Sequence, residues 1–236
     1  MTIKPPEAVA REMRYPRRDV WILMGVAFVV RLAMLPLNSA EYTDGVLQAR
    51  TFADPHGGGA IWPPLYASLI YPLHFVFGYM WSGRLISAVA STLALYPIYR
   101  MTQRAFGTRA ALYAGLFYLT APVVNRWSVR LMTDATFRLF FFWACERLCF
   151  ASREGDEKAA RRALAGACAA TVLAALTRYQ GLMLGPPVLA CAWLIWRRFE
   201  RPPVKPLLWL AGLALLPVWS LTIGFIHDEQ FQSRSL

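Results

Sequence analysis

The sequence predicts an all-α polytopic membrane protein with about seven transmembrane helices. Three observations carry that prediction. The 236 residues are 57% hydrophobic and only 17% charged, with a mean hydropathy of +0.36, which is more apolar and less charged than a soluble domain of this size. The apolar residues gather into runs at 20–37, 85–99, 110–124, 135–150, 163–177, 182–196 and 206–226. A span needs about 20 residues to cross roughly 30 Å of hydrocarbon, and backbone groups in lipid must be paired within the segment, so the runs are read as helices. Finally, the basic residues behind the net charge of +11 fall mostly between the runs. That placement fits the positive-inside rule and excludes a nucleic-acid-binding face as their reason.

Taken in order, residues 1–19 hold Lys4, Arg11, Arg14, Arg17 and Arg18 with several prolines, and no small-residue cleavage site follows the first run. A basic cytoplasmic N-terminus and a retained anchor are expected, not a cleaved signal peptide. The anchor, 20–37, carries Arg31 about two turns from its outer end. Residues 38–83 form the one long outer loop, and within it 63–78 (PPLYASLIYPLHFVFG) is apolar but interrupted by Pro72 and His74. Counting that segment as a span gives eight crossings and leaves the outside more basic than the inside. Leaving it out gives seven, with only Arg50, Arg84, Arg126, Arg130, Arg178 and Arg234 outside. The charge rule selects seven, so 63–78 is expected to be a juxtamembrane helix lying on the outer face. The membrane module then spans 20–226, and 227–236 is an outer tail. Cys145, Cys149, Cys168 and Cys191 all lie within apolar runs, without metal-ligand or redox spacing, and read as small packing residues.

The chemistry-bearing residues gather at the outer ends. Asp44, in EYTDGV, is a carboxylate just beyond the first helix, in the one long outer loop, where long loops tend to carry function. It is a candidate base, and equally a solvated turn acid, since Thr-Asp-Gly is turn chemistry. Asp134 opens a helix, where an acid caps free amides and matches the helix dipole. Arg178 sits at a tight turn, where it could meet a lipid phosphate or simply snorkel. Arg31 is expected either to snorkel outward or to pair with an outer carboxylate such as Asp44. Arg126, Arg130 and Arg138 flank Asp134 and could serve phosphates. Glu41, Asp54 and His56 lie near Asp44 without the spacing of a metal site, so no metal and no other cofactor is assigned. Gly57-Gly58-Gly59 lacks the Lys-Ser/Thr of a P-loop.

The order of these features resembles the GT-C superfamily of membrane glycosyltransferases, which includes protein O-mannosyltransferases and lipid A aminoarabinose transferases. Arg31, Pro36 and Asp44 match its entry motif. Trp62-Pro63-Pro64-Leu65 matches the motif opening a juxtamembrane helix, and Gly83-Arg84-Leu85-Ile86-Ser87-Ala88 the start of the second span. Phe106-Gly107 matches the following inner turn, Met132-Thr133-Asp134 the second acidic position, and Leu176-Thr177-Arg178-Tyr179-Gln180-Gly181 a turn between the fifth and sixth spans. The resemblance covers roughly residues 20–200, the family's N-terminal module; members run on past 236 residues. Gly45 stands where a second acid is usual, Leu47 where an aromatic or basic residue is, and Arg178 where a Lys is.

The resemblance implies an inverting glycosyltransferase of the inner membrane, or of the endoplasmic reticulum, acting on the outer (periplasmic or lumenal) face. The donor would be a polyprenyl-phosphate-linked sugar and the acceptor a lipid, glycan or protein. Asp44 and Asp134 would be the catalytic acids, with Arg178, Arg31 and Arg130 on the donor phosphate. Because phosphate leaves as an anion, one carboxylate and one cation are a sufficient minimum, whereas glycosidases need two carboxylates. Two other classes compete: a transporter, and a non-catalytic or lipid-binding subunit partnered by a second membrane chain. The first is disfavoured by scarce intramembrane acids and the lack of inverted repeats; the second is kept open by the short tail.

Overall fold

The computed structural model describes residues 18–38, 41–49, 62–205, 207–208 and 211. Among these, every regular element is helical. The basic N-terminus, the loop tip with Asp54, His56 and Gly57-Gly58-Gly59, most of the run 206–226 and the tail lie outside the described residues. The first helix, α1 (Arg18–Met34), closes in a 3-10 turn, Leu35–Leu37, at Pro36, whose ring supplies no backbone donor to continue it. A short helix, α2 (Thr43–Ala49), follows and contains Asp44.

Helix α3 (Leu65–Leu93) begins within the segment expected to form a juxtamembrane helix, and its backbone leaves helical geometry at Gly78 (φ 72°, ψ 164°). That region is open essentially only to glycine, so the sequence places the break and divides 65–77 from 79–93. The second apolar run, expected from 85, is therefore helical from its kink onward. At Leu93 the helix hands over to α4 (Leu95–Phe106). Pro97 is the reason: it has no N–H for the carbonyl four residues back, and its ring crowds that carbonyl. Gly107 (φ 86°) turns the chain into α5 (Thr108–Thr120). Ala121 is extended (ψ 117°) before Pro122 opens α6 (Pro122–Ser128), as the residue before a proline is pushed out of helical geometry.

The remaining helices are α7 (Asp134–Arg153), α8 (Glu157–Thr177) and α9 (Gly185–Phe199), the last two joined by a 3-10 turn at Tyr179–Leu184. Helix α8 buries Ala160, Ala163, Ala167, Ala170 and Ala174, one small residue every three or four positions. This stripe brings α7 and α9 close, and Ala151, Cys168, Val188, Cys191, Ala192 and Ile195 fill the seam. Small residues at that spacing are how helices pack when lipid supplies no hydrophobic drive. A second core joins α1, α3, α4, α5 and α7 through Ala27, Ala90, Leu95, Tyr118, Ala135 and Leu139.

By length and composition, Arg18–Leu37 (20 residues) and Glu157–Thr177 (21 residues) are the two described helices long and apolar enough to cross a membrane. The other runs are shortened by the breaks at Gly78, Pro97 and Pro122, or, in α7, carry Arg138, Glu146 and Arg147. The bundle has two chemically different ends. One gathers Glu41, Asp44, Arg84, Arg126, Arg130, Asp134 and Arg178. At the other, Arg161 donates to the Arg201 and Pro202 carbonyls, and Arg198 to those of Ser152 and Glu154.

Candidate active site

The loop after α1 is anchored by Glu41, whose side chain is 3% exposed. Its Oε1 accepts from Arg84 Nε at 2.5 Å and from Asn38 Nδ2 at 2.8 Å, and its Oε2 from the Leu131 backbone amide at 3.0 Å. Asn38 Nδ2 also reaches the Val129 carbonyl at 3.4 Å. Arg84 is buried as well; its Nη1 donates to the Leu35 carbonyl at 3.4 Å and its guanidinium lies 5.4 Å from the Trp81 ring centroid. One carboxylate thus ties together the end of α1, the second part of α3 and the segment before α7.

Asp44 is three residues further on, in the first turn of α2, and is exposed. It has no hydrogen-bond or ion-pair partner among the described residues. Its neighbours are held. Gly45 is buried against the chain before α7: a Cβ there would sit 1.7 Å from the Leu131 carbonyl oxygen. Any side chain at 45 would collide with backbone, which accounts for the absence of the second acid that the family resemblance implies. Tyr42 stacks on Trp127 at 5.4 Å, accepts from Arg126 Nη2 at 3.1 Å, and has the Arg130 guanidinium 4.9 Å from its ring centroid.

Asp134 and Arg178 meet. Arg178 Nη1 donates to Asp134 Oδ1 at 2.7 Å, both side chains being about one third exposed. Thr133, not Asp134, is the N-cap of α7, and it makes no side-chain cap bond; the Asp134 carboxylate is directed to Arg178 instead. Arg178 Nε also reaches Gln180 Oε1 at 3.4 Å, and Arg138 Nε donates to the Asp134 carbonyl at 3.2 Å. Gly45 packs against Leu131 and Met132, just before Asp134, so both candidate acids flank one stretch of chain. Tyr66 braces that stretch from below. Its hydroxyl bonds the Gly83 carbonyl at 3.0 Å and Ser87 Oγ at 3.1 Å, and Ser87 Oγ donates to the Met132 carbonyl at 3.1 Å. Burial pushes the Tyr66 phenol well above its ordinary value, which keeps it a neutral donor.

Arg31 corrects both expectations made for it. It neither snorkels nor meets Asp44. It is 0% exposed, gripped between Thr92 on α3, with Nη1 to Oγ1 at 3.3 Å, and the Tyr118 ring on α5, at 5.7 Å. The side chain leaves α1 on its packed face, which closes the route to the surface. Its Nε and Nη2, and Nη2 of Arg138, are buried without partners.

The structure therefore joins Asp134 to Arg178 and sets Asp44 and Arg130 around Tyr42, while Arg31 lies deeper in the bundle. Sequence reasoning missed the Glu41–Arg84 pair. The sequence singles out Glu41 only beside a metal site that is not assigned, and Arg84 only as an outer charge within the motif that starts the second span. Their one shared signal is an acid and a base flanking the same loop, 43 positions apart, which identifies no pairing by itself.

Residues 62–223 match the family described as dolichyl-phosphate-mannose-protein mannosyltransferase. The chain belongs to that family. The match covers well over half of the 236 residues and makes the molecule a GT-C mannosyltransferase-like module, with glycosyltransferase activity as the family's class of reaction. Arg84, Arg130, Asp134 and Arg178 of this mannosyltransferase-family chain lie inside the matched segment; Arg31, Glu41 and Asp44 lie before it. No curated protein and no solved structure matches the chain.

Proposed function

We propose that the protein transfers a sugar, in the first instance mannose, from a polyprenyl-phosphate donor to an acceptor at the outer face of the membrane, with inversion and with Asp44 as base. The observation that carries this reading is the state of Asp44. Among the described acids at this end, Glu41 and Asp134 are committed to Arg84 and Arg178, whereas Asp44 is exposed, without a partner among the described residues, between residues that are held. A base must be free to reach the proton it takes.

In the proposed step Asp44 accepts the proton of an acceptor hydroxyl as its oxygen bonds the anomeric carbon. The bond from that carbon to the phosphate oxygen breaks, and polyprenyl phosphate leaves with the electron pair. A single displacement inverts the anomeric centre. Charge grows on the departing phosphate, where Arg178 and Arg130 at the surface offer guanidinium donors; Arg31, sealed in the bundle, has no path to it. Asp134 holds Arg178 in place, so its contribution runs through that arginine.

The test is release of polyprenyl phosphate from polyprenyl-phosphate mannose by membranes carrying the full chain. Wild-type protein is expected to release it. Asp44→Asn, which keeps the shape and removes the base, is expected to lose at least about 100-fold, the lower range for general-base catalysis. No release by wild type, or full release by Asp44→Asn, would overturn the proposal.

A further inference from the structure

We infer that Glu41 is a positioning residue for Asp44, acting as a latch between the first loop and the family module. This rests on the reading of Asp44 as base. The latch consists of the Arg84, Asn38 and Leu131 hydrogen bonds to its two oxygens. Each reaches a different part of the bundle: α3, the end of the 3-10 turn after α1, and the chain leading into α7.

Stability alone is a poor reason for this arrangement. Taking a carboxylate and a guanidinium out of water costs several kcal/mol per ion, and a buried pair often does no better than apolar packing of the same volume. What such a pair supplies is register, because its hydrogen bonds are met in one geometry only. The register fixed here is that of Asp44. The chain is held at Glu41 and Tyr42 before it and at Gly45 after it, while Asp44 itself has no partner among the described residues. Two residues, Tyr42 and Thr43, separate Glu41 from Asp44, and α2 begins between them, with the Val46 amide bonding the Tyr42 carbonyl at 3.3 Å. Rotation of the loop about Asn38 would carry α2, and the carboxylate with it, away from Leu131–Asp134.

The latch also explains a feature of the family match. The loop lies before the matched segment, yet its anchor points Arg84, Val129 and Leu131 lie within it. The matched module therefore carries the seat into which the loop is set.

The experiment measures kcat and donor KM for polyprenyl-phosphate mannose turnover in five variants of the full chain, Asp44→Asn among them. Glu41→Gln keeps an oxygen for the Leu131 amide and removes the charge facing Arg84. A misplacement of about 1 Å is worth about 100-fold, so kcat is expected to fall by about that factor, with donor KM within about threefold of wild type, because the arginines assigned to the donor are untouched. Arg84→Lys, which keeps the charge, is expected to retain more kcat than Arg84→Ala. The control is Arg161→Ala, which removes hydrogen bonds to the Arg201 and Pro202 carbonyls at the opposite end; it is expected to lower melting temperature and leave kcat unchanged. A Glu41→Gln protein with wild-type kcat, in an assay where Asp44→Asn is inactive, overturns the latch and leaves the base reading standing. So does a loss of kcat no larger than the Arg161→Ala control shows at equal melting temperature. Full activity in Asp44→Asn overturns both readings.

Discussion

Arg31 is a full charge inside a helical bundle, with a threonine hydroxyl and a tyrosine ring for company and no acid among the described residues to balance it. An intramembrane cation in that state is costly, and such residues are kept for function far more often than for stability. Arg138 is half-buried and donates from Nε to the Asp134 carbonyl, but its buried Nη2 also has no partner among the described residues. The Arg31 charge is sealed between Thr92 and Tyr118, out of reach of a phosphate at the surface. Arg31→Met is expected to keep or raise the melting temperature in detergent, since the desolvation penalty disappears, and to leave donor KM unchanged. A donor KM raised about tenfold or more, the worth of one charge-assisted hydrogen bond, would show that the phosphate reaches Arg31 after all. Gly45 teaches a related lesson at the same scale. A second acid has no room at that position because the Leu131 carbonyl occupies the place of its Cβ, which leaves Asp44 as the acid to which the proposed function assigns the base.

At the scale of elements, Gly78 divides α3 into a segment of mixed aromatic character and a membrane-like helix. Nothing lies within 4 Å of a Cβ built there, so the constraint is conformational and not steric. Gly78→Ala is expected to cost about 1–3 kcal/mol, the strain of holding an L-residue in a region reserved for glycine, read as a drop in melting temperature without loss of the helical circular dichroism signal. An unchanged melting temperature would mean that the break is not required. This break was legible in advance, because a glycine closing an apolar segment with an internal proline is local information. The turn at Gly107 and the helix start at Asp134 were legible for the same reason, whereas α8 begins at Glu157, six residues before the apolar run expected from 163. The handover at Leu93 was obscured: Pro97 lies inside an otherwise unbroken apolar run, and hydropathy does not register a missing backbone donor. The site divided along the same line. Asp134 and Arg178 could be singled out from their places at helix ends, but their ion pair joins residues 44 positions apart. The Glu41 latch and the burial of Arg31 depend on which face of each helix turns inward, and that is settled only when the helices pack.

The whole molecule has the candidate acids Glu41, Asp44 and Asp134 at one end and a crowd of arginine and lysine at the other, and the basic asymmetry carries the predicted topology. At the second end Arg153, Lys158, Arg161, Arg162, Arg197, Arg198, Arg201 and Lys205 surround the turns after α7 and α9. Basic residues in short loops are retained on the cytoplasmic side, which predicts this end inside and the end with Asp44 outside, the side on which the proposed reaction takes place. The prediction requires odd and even turns to open on opposite faces, and two exposed positions decide it: Ser68, in the first part of α3, and Gly155, between α7 and α8. In a full-length background with Cys145, Cys149, Cys168 and Cys191 changed to serine, Ser68→Cys should react with a membrane-impermeant maleimide in intact cells, and Gly155→Cys only after the membrane is opened. Both labelling from outside would break the seven-crossing path between them. The reverse pattern would place Asp44 in the cytoplasm, and the lipid-linked donor would then have to be presented on that side.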